Sequence, residues 1–435
     1  MTKPTSLQQK DVKYIWHPFT QMKTADYPIV ITKGKDALLF DEKGNAYLDV
    51  VSSWWVNLHG HANEYIAKAV SDQLYTLEHV IFAGFTNPKA IEISERLLNH
   101  LPFLSKAFFS DNGSTAVEVG IKMALQYWHN QNNKKTRIIA LQGAYHGDTF
   151  GAMSVTARTP FNQSFEKLLF DVDYLPFPTE ENFESILIQF KQMLLNQDVA
   201  AFIVEPLVQG ASGMRMYSAE YLDKLFALAH QYDALCIADE VMTGFGRTGK
   251  MFAADYLDEK PDIICLSKGI TGGTMAMGMT LCTQQIYDAF LSDDVYKTFF
   301  HGHSYTANPL TCAAACASLD LLEDEQTQNN ILRINQQHAA FYRNYLNHPA
   351  VKEMRVLGTI LALEVKTLKE TSYFNELNKT ITEFFLQKNI LIRPLGNVIY
   401  LIPPYCITDE QLKTVYSAIA EFLDLQNKNS KTIFL

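Results

Sequence analysis

Two short, wholly apolar runs, Ala234 to Ala238 and Ile263 to Leu266, are each followed by a polar group: Asp239 closes the first, and Lys268 stands just beyond the second. Runs of this length without alternation predict parallel strands covered on both faces. Arg137 to Leu141 and Ala200 to Val204 read the same way, and a further strand ends near Phe109. Helical stripes lie between them. Val117, Ile121, Leu125 and Trp128 recur at helical spacing, and residues 218–232 carry a second amphipathic pattern. Thr115-Ala-Val-Glu118 matches a capping box at the head of the first of these helices. Strands and helices therefore alternate from about residue 107 to 285, which predicts a doubly wound α/β domain with a mostly parallel sheet.

The flanks have a different pattern. Residues 1–13 are polar and read as a frayed end. Residues 28–50 alternate β-type runs with Gly- and Asn-containing turns and predict a small meander. From about residue 325 onward come a long helix, a strand near Val356 to Val365, another helix, strands around Leu391 and Ile399, and a final helix. The expected division is an N-terminal arm and meander over 1–60, a large α/β domain over 61–324, and an α+β unit over 325–435, the smaller domain being built from both chain ends. Two adjacent tryptophans, Trp54 and Trp55, cannot both face one side of a strand, so one is expected to line a pocket while the other packs.

In open α/β sheets ligands collect beyond the carboxyl ends of the strands, where Asp239 and Lys268 are expected. A lysine at a dry strand end is costly as a cation, so its pKa should fall and its neutral amine becomes a nucleophile able to form a Schiff base. Pyridoxal phosphate needs such a lysine, together with a carboxylate that keeps its ring nitrogen protonated. A structural Asp–Lys ion pair is the competing explanation. Gly113-Ser-Thr feeds a helix N-terminus and could present N–H groups and hydroxyls to a phosphate, or be an ordinary cap. Tyr145, in the loop after Arg137 to Leu141, could stack on a flat ring. Arg393 lies between apolar neighbours, and a buried arginine needs an anion.

Composition narrows the field. Hydrophobic residues make up 47% and charged residues 19% of 435, a normal globular balance. A net charge of −10 argues against non-specific binding to nucleic acid or an anionic membrane. There is no apolar run long enough to span a bilayer and no apolar signal core at the start, so a cytoplasmic protein is expected. The six cysteines form no CxxC pair and read as reduced packing residues. Two other chemistries remain open. Gly244-Phe-Gly-Arg-Thr-Gly249 matches a dinucleotide fingerprint, although Asp239-Glu-Val-Met-Thr separates it from the strand core, and Met251 supplies no hydroxyl for a P-loop. His59-Gly-His61 and His301-Gly-His303 could hold a metal, as in a hydrolase.

Taken together, Asp239 with Lys268, Asn112-Gly-Ser-Thr115, Tyr145-His-Gly-Asp148 and His301-Gly-His-Ser304 resemble the class III (ω-type) pyridoxal-phosphate aminotransferases, of the fold type I superfamily. Trp16-His-Pro-Phe-Thr, Ser53-Trp-Trp, Gln209-Gly-Ala-Ser-Gly-Met-Arg-Met-Tyr217, Thr271-Gly-Gly-Thr-Met275 and the stretch from Ile392 to Tyr405 are similar to the branch of that family acting in biotin biosynthesis. That branch takes an amino group from S-adenosylmethionine and gives it to 8-amino-7-oxononanoate. The resemblance implies a homodimer with active sites at the interface and pyridoxal 5'-phosphate as cofactor. It implies Lys268 as Schiff-base lysine and proton shuttle, Asp239 as partner of the pyridinium nitrogen, and Tyr145 as the stacking ring. Gly113 and Ser114, with His303 and Ser304 from the second subunit, would hold the phosphate. Trp54 and Gly302 would line the substrate pocket, and Arg393 would hold the acceptor carboxylate. The family's tyrosine after His-Pro is Phe19 here, without the hydroxyl, which leaves lysine as an alternative donor, and another ω-aminotransferase as a further alternative.

Overall fold

The computed structural model describes residues 3–369 and 371–433. Its centre is a seven-stranded sheet. In spatial order the strands are Lys106–Ser110, Gly278–Cys282, Ile263–Leu266, Leu235–Asp239, Val199–Val204, Arg137–Leu141 and Asp173–Leu175. Gly278–Cys282 runs antiparallel to both of its neighbours; the other pairings described are parallel. Every residue of Val199–Val204, Leu235–Asp239 and Ile263–Leu266 is buried. This explains why these strands read as unbroken apolar runs: helices cover both faces, and neither face can be polar.

The helix Gly113–Asn130 packs on that sheet through Val117, Ile121, Ala124 and Trp128, a stripe at helical spacing. Its cap differs from expectation. Asn112 is the N-cap and accepts the N–H of Thr115, whose hydroxyl in turn accepts the N–H of Asn112. Glu118 lies one turn too far along to reach the cap. Its Oε1 instead accepts the N–H groups of Gly151 and Ala152, at 2.6 and 3.1 Å, and so caps the next helix, Phe150–Val155.

Three antiparallel strands, Ile31–Lys35, Leu38–Asp41 and Ala46–Asp49, form the expected meander. They are joined by Ile390–Leu391, parallel to Ala46–Asp49, so the two chain ends share one sheet. The single strand expected near Val356 to Val365 is a hairpin of Val351–Leu357 and Ile360–Val365. Gly358 makes the turn with φ of +57°, and a Cβ there would lie 2.1 Å from the Thr248 carbonyl carbon, so the backbones touch. The N-terminal residues also differ from expectation. Ser6–Tyr14 is a helix closed by a reciprocal Thr5–Gln8 capping box, although none of its residues is buried.

The Gly244-to-Gly249 fingerprint is not a phosphate loop. It heads no helix, and it forms a turn whose Arg247 is 1% exposed. That guanidinium donates to the carbonyls of Pro403, at 2.8 Å, and Asn57, at 3.1 Å, and sits 5.1 Å from the Tyr405 ring. Arg247 thereby ties the N-terminal and C-terminal segments to the central sheet. Arg247→Met retains the stem and removes the charged donors. It is expected to cost on the order of 3 kcal/mol of unfolding free energy in a urea titration; a change below about 0.5 kcal/mol would show that these carbonyls do not depend on it.

Candidate active site

Asp239 is the last residue of Leu235–Asp239 and lies opposite Cys265 in the neighbouring strand Ile263–Leu266. The chain leaves that second strand through Ser267, and Lys268 opens a single helical turn with φ of +45°. A left-handed lysine costs of order 1–3 kcal/mol and persists only where its surroundings hold it. Both side chains line one cavity of 680 Å³, with Gly113, Ser114, Tyr145 and Trp55.

Burial drives the electrostatics of this cavity. It pushes the Lys268 amine down from 10.5 to about 8, with Arg247 adding to the effect and the Asp239 and Glu205 carboxylates opposing it. Asp239 is held from two sides: Oδ2 lies 2.7 Å from His146 Nδ1, and Oδ1 accepts the Val241 N–H at 3.1 Å. The His146 side chain is fully buried, and its Nε2 has no partner among the described residues. Burial pushes Glu205 up to about 7, while its two oxygens accept the backbone N–H groups of Tyr145 and Gly210, each at 2.9 Å. Burial, then Asp148, raises the Tyr145 phenol well above its ordinary value, so it stays protonated at neutral pH.

One wall of the cavity is the start of Gly113–Asn130. The first N–H groups of a helix have no intrahelical acceptor. Asn112 satisfies that of Thr115, and among the described residues those of Gly113 and Ser114 have none. Ser114 Oγ lies 2.7 Å from Thr149 Oγ1. Gly147 makes this wall possible, because a Cβ there would sit 2.3 Å from Ser114 Oγ.

A second cavity, of 450 Å³, continues from the first and shares Lys268, Tyr145 and Trp55 with it. It contains Phe19, Trp54 and Arg393. The Arg393 guanidinium carbon sits 4.3 Å from the Trp54 ring centre, and Phe19 meets the same ring edge-on at 5.7 Å. Arg393 is half-buried and pairs with no carboxylate among the described residues. The tryptophans divide as expected in exposure, 38% for Trp54 and 6% for Trp55, but both line the slot, and the segment is a short kinked helix, not a strand. Trp55 is fixed by its Nε1, which donates to the Tyr400 hydroxyl at 2.9 Å.

Gly302, His303 and Ser304 line neither cavity. His303 Nδ1 lies 3.2 Å from Asp111 Oδ1, and Asp111 is on the rim of the first. The HxH pairs do not converge as metal ligands. His59 Nε2 meets Ser318 Oγ at 3.1 Å, His61 Nε2 meets Asp49 at 2.9 Å, and His301 Nδ1 meets the Lys122 amine at 2.9 Å. His146, Thr149 and Arg247 carry no role in the expectations from sequence alone. A signal was available for His146, which follows the strand Arg137–Leu141 on the side where ligands collect.

Residues 20–423 match the model of the family described as Aminotransferase class-III. The chain belongs to the class-III aminotransferases, pyridoxal-phosphate enzymes of fold type I. It is 48% identical to the adenosylmethionine-8-amino-7-oxononanoate aminotransferase of Synechococcus elongatus over 94% of this chain and 98% of that protein. The Staphylococcus aureus protein of the same name is 39% identical over 94% and 95%. Among solved structures, that enzyme from Methanocaldococcus jannaschii superposes with a TM-score of 0.90 at 36% identity, covering 95% of this chain and 98% of its own. The omega transaminase of Pseudomonas jessenii in complex with PMP superposes with a TM-score of 0.91 at 25% identity, covering 98% and 99%.

The donor set fits pyridoxal phosphate: one desolvated amine, one carboxylate anchored by histidine, and a helix N-terminus bearing hydroxyls for a phosphate, all on one cavity. The amine must be neutral to add to the aldehyde, and its value of about 8 predicts a pH dependence. Below pH 8 the neutral fraction falls tenfold per unit; above it the fraction levels off. Capture of pyridoxal phosphate by the apoenzyme is therefore expected to accelerate with pH and plateau above about 8. A rate that keeps rising about tenfold per unit through pH 9 without levelling off would show that the amine is not desolvated.

Proposed function

We propose that this chain transfers an amino group from S-adenosylmethionine to 8-amino-7-oxononanoate, giving 7,8-diaminononanoate for biotin synthesis, as a cytoplasmic homodimer. One structural observation carries the choice of acceptor. Besides Lys268 at its inner end, the aromatic slot contains one cation, Arg393, stacked on Trp54 and paired with no carboxylate among the described residues. A long keto acid has the complementary form, with a reactive carbonyl at one end, an apolar chain, and an anion at the other. The names of relatives at 36–48% identity point the same way.

In this reading Lys268 Nζ would hold the cofactor covalently, and its amine, once released, would give and take the proton at the substrate carbon. When bound, the cofactor supplies an electron-withdrawing ring that acidifies that carbon. Asp239 would keep the ring nitrogen of the cofactor protonated, and the hydrogen bond with His146 orients that carboxylate. Gly113 and Ser114 receive the phosphate through backbone N–H groups and a hydroxyl. His303 and Ser304, with Gly302, are contributed by the second copy, a role supported by their lying outside both cavities of a single chain. Tyr145 stacks on the ring, and Trp54 and Phe19 wall the substrate slot. A domain division at about residues 60 and 324 would put most of the cofactor cavity in the larger α/β unit, with Trp55 and Val56 reaching it from the smaller one.

Phe19 lacks a hydroxyl that a tyrosine would offer, a difference of roughly 1 kcal/mol per hydrogen bond. Lysine as donor is the alternative this leaves. With 8-amino-7-oxononanoate as acceptor, turnover is expected with S-adenosylmethionine as donor; product formed with lysine alone would refute that assignment. Lys268→Ala should lose the visible absorbance of the lysine-bound cofactor and all turnover. Arg393→Ala should leave the donor half-reaction intact and weaken the acceptor half-reaction by about 2–3 kcal/mol, the value of a hydrogen-bonded charge pair. Unchanged acceptor kinetics would remove Arg393 from the role given to it.

A further inference from the structure

The motif Gln209-Gly-Ala-Ser-Gly-Met-Arg-Met-Tyr217 contains a charged residue with no role in the site above. Arg215 lies in the short strand Arg215–Met216, paired with Val208–Gln209. Its guanidinium carbon sits 3.6 Å from the Phe177 ring centre, and it forms no hydrogen bond or ion pair among the described residues. It faces a third cavity, of 520 Å³. This cavity shares Phe161, Ser212, Tyr373 and Leu395 with the slot that contains Arg393, so the two adjoin.

The charges on this cavity do not balance. Its cations are Arg215, Lys352 and Arg355; its carboxylates are Glu353 and Glu364. Lys352 Nζ lies 2.6 Å from Glu364, and Arg355 lies 2.8 Å from Glu353 and 3.5 Å from Glu364. The two carboxylates are thus taken by Lys352 and Arg355, and Arg215 is the surplus charge. The Arg355 side chain is 8% exposed, and its Nε is buried with no partner. Burial, then the neighbouring Arg355, disfavours the Arg215 charge, and the pull of Glu353 and Glu364 does not fully offset them. A planar, two-oxygen anion would relieve that repulsion and satisfy the fork geometry of the guanidinium.

We propose that this outer cavity is a carboxylate subsite in which Arg215 captures the incoming keto acid before its carboxylate passes to Arg393. The proposal rests on the keto-acid acceptor argued above. It also answers a problem of the whole molecule: a chain of net charge −10 repels an anionic substrate, and a local surplus of positive charge beside the slot offsets that repulsion during encounter. The cavity contains neither Lys268 nor Tyr145, so Arg215 acts on arrival and not on the chemical step.

The test compares Arg215→Met, which retains the stem on Phe177 but not the charge, with Arg215→Lys, which retains a charge. At low ionic strength Arg215→Met should lower kcat/KM for 8-amino-7-oxononanoate by about five- to tenfold, with kcat and the donor half-reaction unchanged. Its kcat/KM should also lose most of the wild-type decline with added salt, and Arg215→Lys should recover most of both. Sulfate should compete with the keto acid in the wild type and much less in Arg215→Met. Wild-type kcat/KM and salt dependence in Arg215→Met would overturn the proposal, as would undiminished sulfate competition. If Arg215→Met does not fold, the wild type alone decides: acceptor kcat/KM independent of ionic strength overturns it. A wild-type enzyme that turns over other keto acids but not 8-amino-7-oxononanoate would defeat the acceptor assignment instead, a result distinct from any ratio between variant and wild type.

Discussion

The molecule depends on an amine being held in a place where its charge is poorly solvated. Lys268 lies past the carboxyl end of a fully buried strand, with Asp239 across the neighbouring strand to limit how far its pKa can fall. Burial alone would strip the amine of its proton and leave a bare carboxylate beside it. The carboxylate alone, in water, would leave an ordinary cation. The balance leaves the amine near the pH at which it both gives and takes a proton, which general acid–base chemistry requires. His146, buried beside Asp239, holds one oxygen of that carboxylate at 2.7 Å.

The remainder of the fold can be read as support for that balance. The parallel strands bring both groups to one edge, and the helix Gly113–Asn130 brings a partial positive end to the same cavity. Arg247, buried among carbonyls from residues 57 and 403, joins the chain ends to the sheet and also adds to the depression of the Lys268 pKa. One side chain therefore serves both packing and electrostatics. The two adjoining cavities are aromatic-walled, and each holds a cation without a carboxylate partner among the described residues, Arg393 in one and Arg215 in the other.

Short-range pattern made much of this legible. Unbroken apolar runs identified the buried strands, because a strand covered on both faces has no polar side to show, and the strand-end rule then pointed to Asp239 and Lys268 together. The stripe Val117, Ile121 and Trp128 identified the helix whose N-terminus lines the cavity. Where the reading went astray, the determining contacts were non-local. Glu118 resembled a cap residue by spacing, but the N–H groups it accepts lie more than thirty positions away. The glycine fingerprint at 244–249 had the right letters, but its close backbone neighbour is Gly358 in a hairpin that spacing had read as one strand.

By itself, then, the amino-acid order determined which segments of the central sheet and its covering helix are strand and helix, that Asp239 and Lys268 stand at strand ends, and that the chain carries a net charge of −10. Those properties depend on neighbours within a few positions or on composition. Tertiary structure alone decided that His146 anchors Asp239, that Arg247 is buried as a fastening, that Arg393 stacks on Trp54, and that Arg215 is left without a carboxylate. Each of these joins residues roughly 90 to more than 300 positions apart, or depends on counting the charges around a cavity, and neither is expressed in the periodicity of a single segment.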